Sequence, residues 1–194
     1  MPESDIDIEK KRLRKEAMER RADAKATTGP LAGDLLASQF TEAMPLAAGT
    51  VVAGYWPMRE EINLVPLLKR LHQEGKRVVL PAIAERNEPL RFRNWEPDLD
   101  LESGPYGTLH PPAPMGEARP DVVLVPLLAF DDDGYRLGYG AGFYDRTLSA
   151  LRAEGTVLAV GIGYESQRTP PLPRSGTDER LDWVVTENAV RRFA

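Results

Sequence analysis

Residues 124–148, LVPLLAFDDDGYRLGYGAGFYDRTL, hold the side chains whose types and spacing can do chemistry. Gly138, Gly140 and Gly142 alternate directly before a helix-forming stretch. Glycines let the backbone approach a ligand closely, and a helix start offers free N–H donors, so phosphate is the natural guest. The spacing is GxGxG, unlike the dinucleotide GxGxxG, and a loop separates it from the strand before it. Arg136 is placed to neutralise phosphate charge. Asp145, in the first turn of the helix, can reach a phosphate-bound Mg²⁺. The same residues also fit plain chain geometry, a glycine turn with an aspartate complementing the helix dipole.

The absences narrow the chemistry. With no cysteine among 194 residues, disulfides, thiolate metal sites and a cysteine nucleophile are excluded. His72 and His110 are the only histidines, too few for a poly-histidine zinc site. Lys plus Arg is 25 against 30 Asp plus Glu, a net charge of −5, which argues against a nucleic-acid-coating surface. That total hides a split. Residues 9–25 carry eight basic and four acidic side chains, so the rest of the chain is more acidic than the sum suggests. No apolar run approaches the roughly 18 residues of a membrane span, and MPESDIDIEKKRLRK has no signal-peptide core. The expectation is a cytoplasmic protein.

The elements that must position these residues follow from periodicity and proline. Prolines number 17, and none lies within 4–29 or 128–169. Those windows can hold unbroken helix, since an interior proline costs about 3 kcal/mol. A basic helix is predicted over about 7–26. Leu31, Leu35, Leu36, Phe40 and Met44 mark a second. A strand over 50–57, a helix over 63–74 and a strand over 77–83 form a βαβ unit, hence a parallel pair. An edge strand is expected over 90–95 and loop over 97–120. One buried strand is expected over 121–130, then a helix over 142–154 and strands over 156–164 and 181–186, with a proline-rich loop over 167–176. The pattern is α/β, a single doubly wound domain over 1–194 with a mostly parallel central sheet flanked by helices and the basic helix packed on it.

The long glycine-rich stretch closely resembles the 5-formyltetrahydrofolate cyclo-ligase family, with its apolar strand, Phe-Asp, Gly, Arg-Leu-Gly, glycine run and Tyr-Asp. The block order also matches: a basic N-terminal helix, Glu61-Ile62 after a strand, and a late aspartate before the last strand. The resemblance implies an ATP- and Mg²⁺-dependent enzyme that converts 5-formyltetrahydrofolate into 5,10-methenyltetrahydrofolate. It implies ATP contacts at Lys10, Arg14, Arg136, Leu137, Gly138, Tyr139, Gly140, Ala141, Gly142, Phe143 and Tyr144. It implies folate contacts at Trp56 and Glu61 and at Tyr139 to Phe143. Arg136, Tyr144 and Asp145 would be catalytic, and Asp145 and Asp178 would be the Mg²⁺ ligands. His72 and His110 match no family site. Ala141, Phe143 and Tyr139 depart from common family residues (glycine or lysine, tyrosine and sometimes arginine, respectively), which leaves the glycines, Tyr144 and Asp145 in place. The expected partners are the two small-molecule substrates, with no nucleic acid or membrane, and the expected assembly is a monomer or weak homodimer. Two alternatives remain open at this point: a non-catalytic folate-binding paralogue, and a sugar-phosphate-sensing module of related fold.

Overall fold

The computed structural model describes residues 5–193. Residues 1–4 and 194, which the expected domain and the N-terminal leader reading include, lie outside that description. The described residues begin with α1 (Asp5–Thr28) and α2 (Ala32–Ala43). β1 (Val51–Ala53), α3 (Val65–Gln73) and β2 (Arg77–Ala82) follow as the predicted βαβ unit, with Val52 opposite Val78 in a parallel pair. Pro66 sits in the first turn of α3, where its missing N–H is not needed. β3 (Arg91–Asn94) pairs antiparallel to β2, an edge strand as predicted.

The next stretch departs from the sequence reading. The 97–120 segment carries a small hairpin, β4 (Glu102–Ser103) and β5 (Leu109–His110), inside the expected loop. The expected single strand over 121–130 divides into β6 (Val122–Pro126) and β7 (Ala129–Phe130). β6 stays in the main sheet, whereas β7 leaves it and pairs with β8 (Arg136–Leu137). A continuous apolar run cannot reveal this break, because both halves are buried. Leu127 packs into one cluster and Leu128 into another, so the chain turns between them.

α4 (Phe143–Glu154), β9 (Leu158–Ile162), β10 (Trp183–Val185) and β11 (Val190–Arg192) complete the described chain. β11, antiparallel to β10, was not expected, since three residues with two arginines carry no apolar signal. Among the described residues the main sheet runs β11-β10-β9-β6-β1-β2-β3, parallel in its interior and antiparallel at both edges. Side chains alternate across it. Val52, Leu80, Leu124 and Val160 face α2 and α3, while Ala53, Val79, Val123 and Ala159 face α4. Both faces are covered, which is why the strands read as unbroken apolar runs.

The strand order places the site. From β1 the chain moves one way to β2, then returns to the other side of β1 for β6. The crevice beyond the carboxyl ends of β1 and β6 is the switch point where open α/β sheets bind ligands.

Candidate active site

A cavity of about 920 Å³ opens at that switch point. Its size lies in the range of small-molecule sites. Tyr55 and Trp56 enter it from the end of β1, and Pro126 from the end of β6. The glycine-rich turn forms a wall between β8 and α4. Every residue that the sequence reading placed in the site lines this one cavity: Lys10 and Arg14, Trp56 and Glu61, Arg136 through Asp145, and Asp178.

The turn is shaped by its glycines and by two arginines. Gly140 has φ +97 and Gly142 has φ +70, conformations that disfavour side chains. A Cβ on Gly140 would lie 3.0 Å from the Arg14 guanidinium carbon, and one on Gly142 would lie 2.6 Å from Arg146 Nη1. Arg14 Nε donates to the Gly138 carbonyl at 3.0 Å, and Arg146 Nη2 donates to the Ala141 carbonyl at 2.9 Å. Gly142 caps α4 without a side-chain hydrogen bond, so the first N–H groups of the helix stay available to an anion.

The carboxylates are paired with cations. Asp145 Oδ1 accepts from Arg136 Nη2 at 2.8 Å and from the Glu179 backbone N–H at 3.0 Å. Arg136 also donates to the Glu179 carbonyl at 2.6 Å, and its side chain is nearly buried. It is therefore fixed to Asp145 and to the 175–179 loop, a more constrained place than a free phosphate counter-charge. Asp178 Oδ2 accepts from Lys10 Nζ and from the Ser175 backbone N–H, each at 2.6 Å. Burial works to raise the Asp178 pKa, but Lys10 and the Ser175 N–H outweigh it and hold the carboxyl below its ordinary value. Glu179 N–H on Asp145 and the neighbouring Asp178 tie the two carboxylates to one loop. They are hard oxygen donors, and the cavity wall has no histidine or cysteine. No group of three or more possible metal ligands exists among the described residues. Two carboxylates suit Mg²⁺, which completes its shell with phosphate oxygens and water.

Glu61 is buried at the other end of the cavity. Its Oε2 accepts the Met58 backbone N–H at 2.9 Å, and the Tyr139 hydroxyl lies 3.3 Å from Oε1. Burial raises its pKa above the ordinary glutamate value, against the opposing pull of Met58 N–H, Arg21 and Tyr139. Burial likewise raises the Tyr144 hydroxyl pKa, so the Tyr144 hydroxyl stays neutral. Trp56 is half-buried against Trp95, with ring centres 6.4 Å apart.

Other residues at the site went unread in the sequence, four of them with large side chains that shape it. Arg21 is buried on α1, three turns beyond Lys10 on the same face, a signal that helical spacing does carry. Tyr55 follows a strand and reads as core. Tyr106 lies in the proline-rich segment and meets Phe143 edge-on at 6.1 Å, with φ 60. Arg146 reads as the exposed side of α4, yet folds back over the turn and the Phe143 ring. His72 is exposed on its helix, and His110 lies beside Arg93, away from the cavity wall.

A doubly wound sheet with a glycine-rich turn, a cationic helix and two carboxylates around one crevice has the architecture of a small-molecule α/β enzyme. Residues 7–187 match the 5-formyltetrahydrofolate cyclo-ligase family. A relative named 5-formyltetrahydrofolate cyclo-ligase from Escherichia coli K12 is 32% identical over 163 residues, spanning 81% of this chain and 89% of its own. The one from Mycolicibacterium smegmatis is 36% identical, over 72% of this chain and 74% of its own. The solved structure of the 5,10-methenyltetrahydrofolate synthetase of Aquifex aeolicus superposes with a TM-score of 0.75 at 28% identity, covering 94% of this chain and 92% of its own. The chain belongs to the 5-formyltetrahydrofolate cyclo-ligase family, a family of enzymes. No helix among the described residues is long and apolar enough to cross a membrane.

Proposed function

We propose that the protein uses Mg-ATP to convert 5-formyltetrahydrofolate into 5,10-methenyltetrahydrofolate, acting in the cytoplasm as a monomer or weak homodimer. The observation that carries this is one cavity shared by the glycine-rich turn, the cations of α1, the Asp145–Asp178 carboxylates and the buried Glu61.

A formamide oxygen is a poor leaving group. The bond between the γ-phosphorus and its bridging oxygen breaks, releasing ADP, and a new bond forms to the formyl oxygen. The folate N10 then attacks the activated carbon, phosphate departs, N10 loses its proton, and the ring closes as the methenyl cation. Such transfer needs positioning and charge neutralisation more than a protein nucleophile, which fits the absence of cysteine.

The residues divide this work. Lys10 and Arg14 hold phosphate oxygens from α1, and the N–H groups of Gly142, Phe143 and Tyr144 hold them from the turn. Asp145 and Asp178 would hold Mg²⁺, which supplies charge neutralisation on the phosphates. Arg136 keeps the Asp145 carboxylate aimed. Tyr144 donates a hydrogen bond without giving up its proton. Glu61 and Trp56 seat the pterin, and Tyr139, Gly140, Ala141 and Phe143 run between the two substrates.

Purified protein mixed with 5-formyltetrahydrofolate and Mg-ATP is expected to form methenyl product, followed by its absorbance. Asp145→Ala is expected to lower turnover at least about a hundredfold while folate still binds. No product without the variant, or full activity with it, overturns the reading or the metal assignment respectively.

A further inference from the structure

Arg21 is 3% exposed, and no step above uses it. Its Nη2 donates to the Tyr139 hydroxyl at 2.5 Å, its guanidinium lies 5.4 Å from the centre of that ring, and its Nη1 lies 3.7 Å from Glu61 Oε1. Nε and Nη1 are buried without a hydrogen-bond partner among the described residues. Burying a guanidinium with unfilled donors is costly. An apolar side chain would cover the same surface of α1 without that cost. What the guanidinium brings is charge and direction at Glu61.

We infer that Arg21 and Tyr139 form a positioning pair for Glu61, in which α1 fixes the guanidinium, the guanidinium fixes the Tyr139 hydroxyl, and both fix one oxygen of the carboxylate. The other oxygen is fixed by the Met58 N–H. Glu61 is thus held from two sides, by its own loop and by α1 acting through the glycine-rich turn. A carboxylate oxygen has two acceptor sites, so each keeps one for a ligand. A carboxylate held this way accepts two adjacent N–H groups, the pattern that a 2-amino-4-oxopyrimidine ring presents. The pair therefore acts on folate selection rather than on phosphoryl transfer, and it links the ATP-facing helix to the pterin end of the cavity. This rests on the reading of Glu61 as the folate-binding group.

The charged and titratable groups facing Glu61 are Arg21 from α1, Tyr139 from the turn, Tyr55 from beyond β1, Tyr144 from α4 and Arg59 from its own loop. Arg21 is the buried cation among them, so its removal leaves burial less opposed and Glu61 protonates at higher pH.

The test is steady-state kinetics of the parent, Tyr139→Phe, Arg21→Leu, Arg21→Lys and the Arg21→Leu/Tyr139→Phe double variant, with melting temperatures recorded for each. Tyr139→Phe is expected to raise KM for 5-formyltetrahydrofolate about tenfold and Arg21→Leu about thirtyfold, with KM for ATP within about twofold. The double variant is expected to match Arg21→Leu, since the two act as one unit. The acid limb of kcat/KM for folate is expected to move up by about one pH unit in Arg21→Leu and to stay near the parent's in Arg21→Lys. Should Arg21→Leu not fold, Tyr139→Phe and Arg21→Lys carry the comparison. An active parent whose variants keep its folate KM and acid limb, or raise both substrates' KM alike, overturns the pair alone. A parent without turnover overturns the folate reading and the pair with it.

Discussion

Helices α1 and α3 both pack against the body that the sheet organises, and they are held there by different forces. α3 buries Leu67, Leu68 and Leu71, with Leu64 at its N-terminal end, each 1% exposed or less, against α2 and the sheet. The buried side chains of the much longer α1 are Lys10, Ala17, Arg21 and Ala24. Its apolar contacts are few and small: Ala17, with Leu13 beside it, meets Leu128, Ala129, Leu137 and Leu172, and Ala24 touches the main core. The rest is ionic or hydrogen-bonded: Lys10 to Asp178, Arg14 to Gly138, Arg21 to Tyr139, and Lys25 to the Arg59 carbonyl. All of these partners lie on segments that border the cavity. One helix is kept in place by surface withdrawn from water, and the other by charges that a polyanionic ligand also seeks. The first is scaffold. The second borders the candidate site.

The largest effect expected from this contrast is on stability. Leu68→Ala leaves a cavity between α3 and the sheet and is expected to cost about 2–5 kcal/mol in denaturant unfolding, with KM for ATP unchanged in the folded fraction. Lys10→Ala is expected to do the reverse. Unfolding free energy falls by about 1–2 kcal/mol at most, because the pair is partly exposed, whereas KM for Mg-ATP rises at least about tenfold. If the two variants changed stability and KM alike, the division between scaffold and site would fail. The smallest effect is on dynamics. Raising salt to about 0.5 M is expected to speed amide exchange in α1 roughly threefold and leave α3 unchanged, and Mg-ATP is expected to slow α1. No acceleration in either helix would show that α1 is held by burial after all.

The same contrast explains what could be read in the sequence. α3 and the sheet interior were legible because leucines at helical spacing and valine-rich runs are direct records of burial. α1 was legible as a helix from its charge and its lack of proline, but its residue types alone did not mark the inward face, since lysine and arginine on a buried face look like lysine and arginine in water, and only the spacing from Lys10 points to Arg21. Arg21 was lost for that reason. The glycine-rich turn, with Asp145 and Tyr144, could be read because its spacing is itself the chemistry. Tyr106 and the β4–β5 hairpin were hidden in a segment with no period, and β11 in three residues with two arginines. The turn at Leu127–Leu128 left no trace, because the chain changes direction without leaving the core.

Lys10 and its partner Asp178 are 168 positions apart, and Arg14 and Gly138 are 124 apart. α1 is the first described element to leave the ribosome, and Asp178, which docks its first turns, is among the last groups to follow. A lone charged helix with no apolar stripe gains little from folding early. The nascent chain can assemble its sheet around β1, β2 and β6 while α1 waits, because domains fold as their contacts become available. The Lys10–Asp178 side of the cavity is then completed late, when the 175–179 loop emerges beside a helix made long before it.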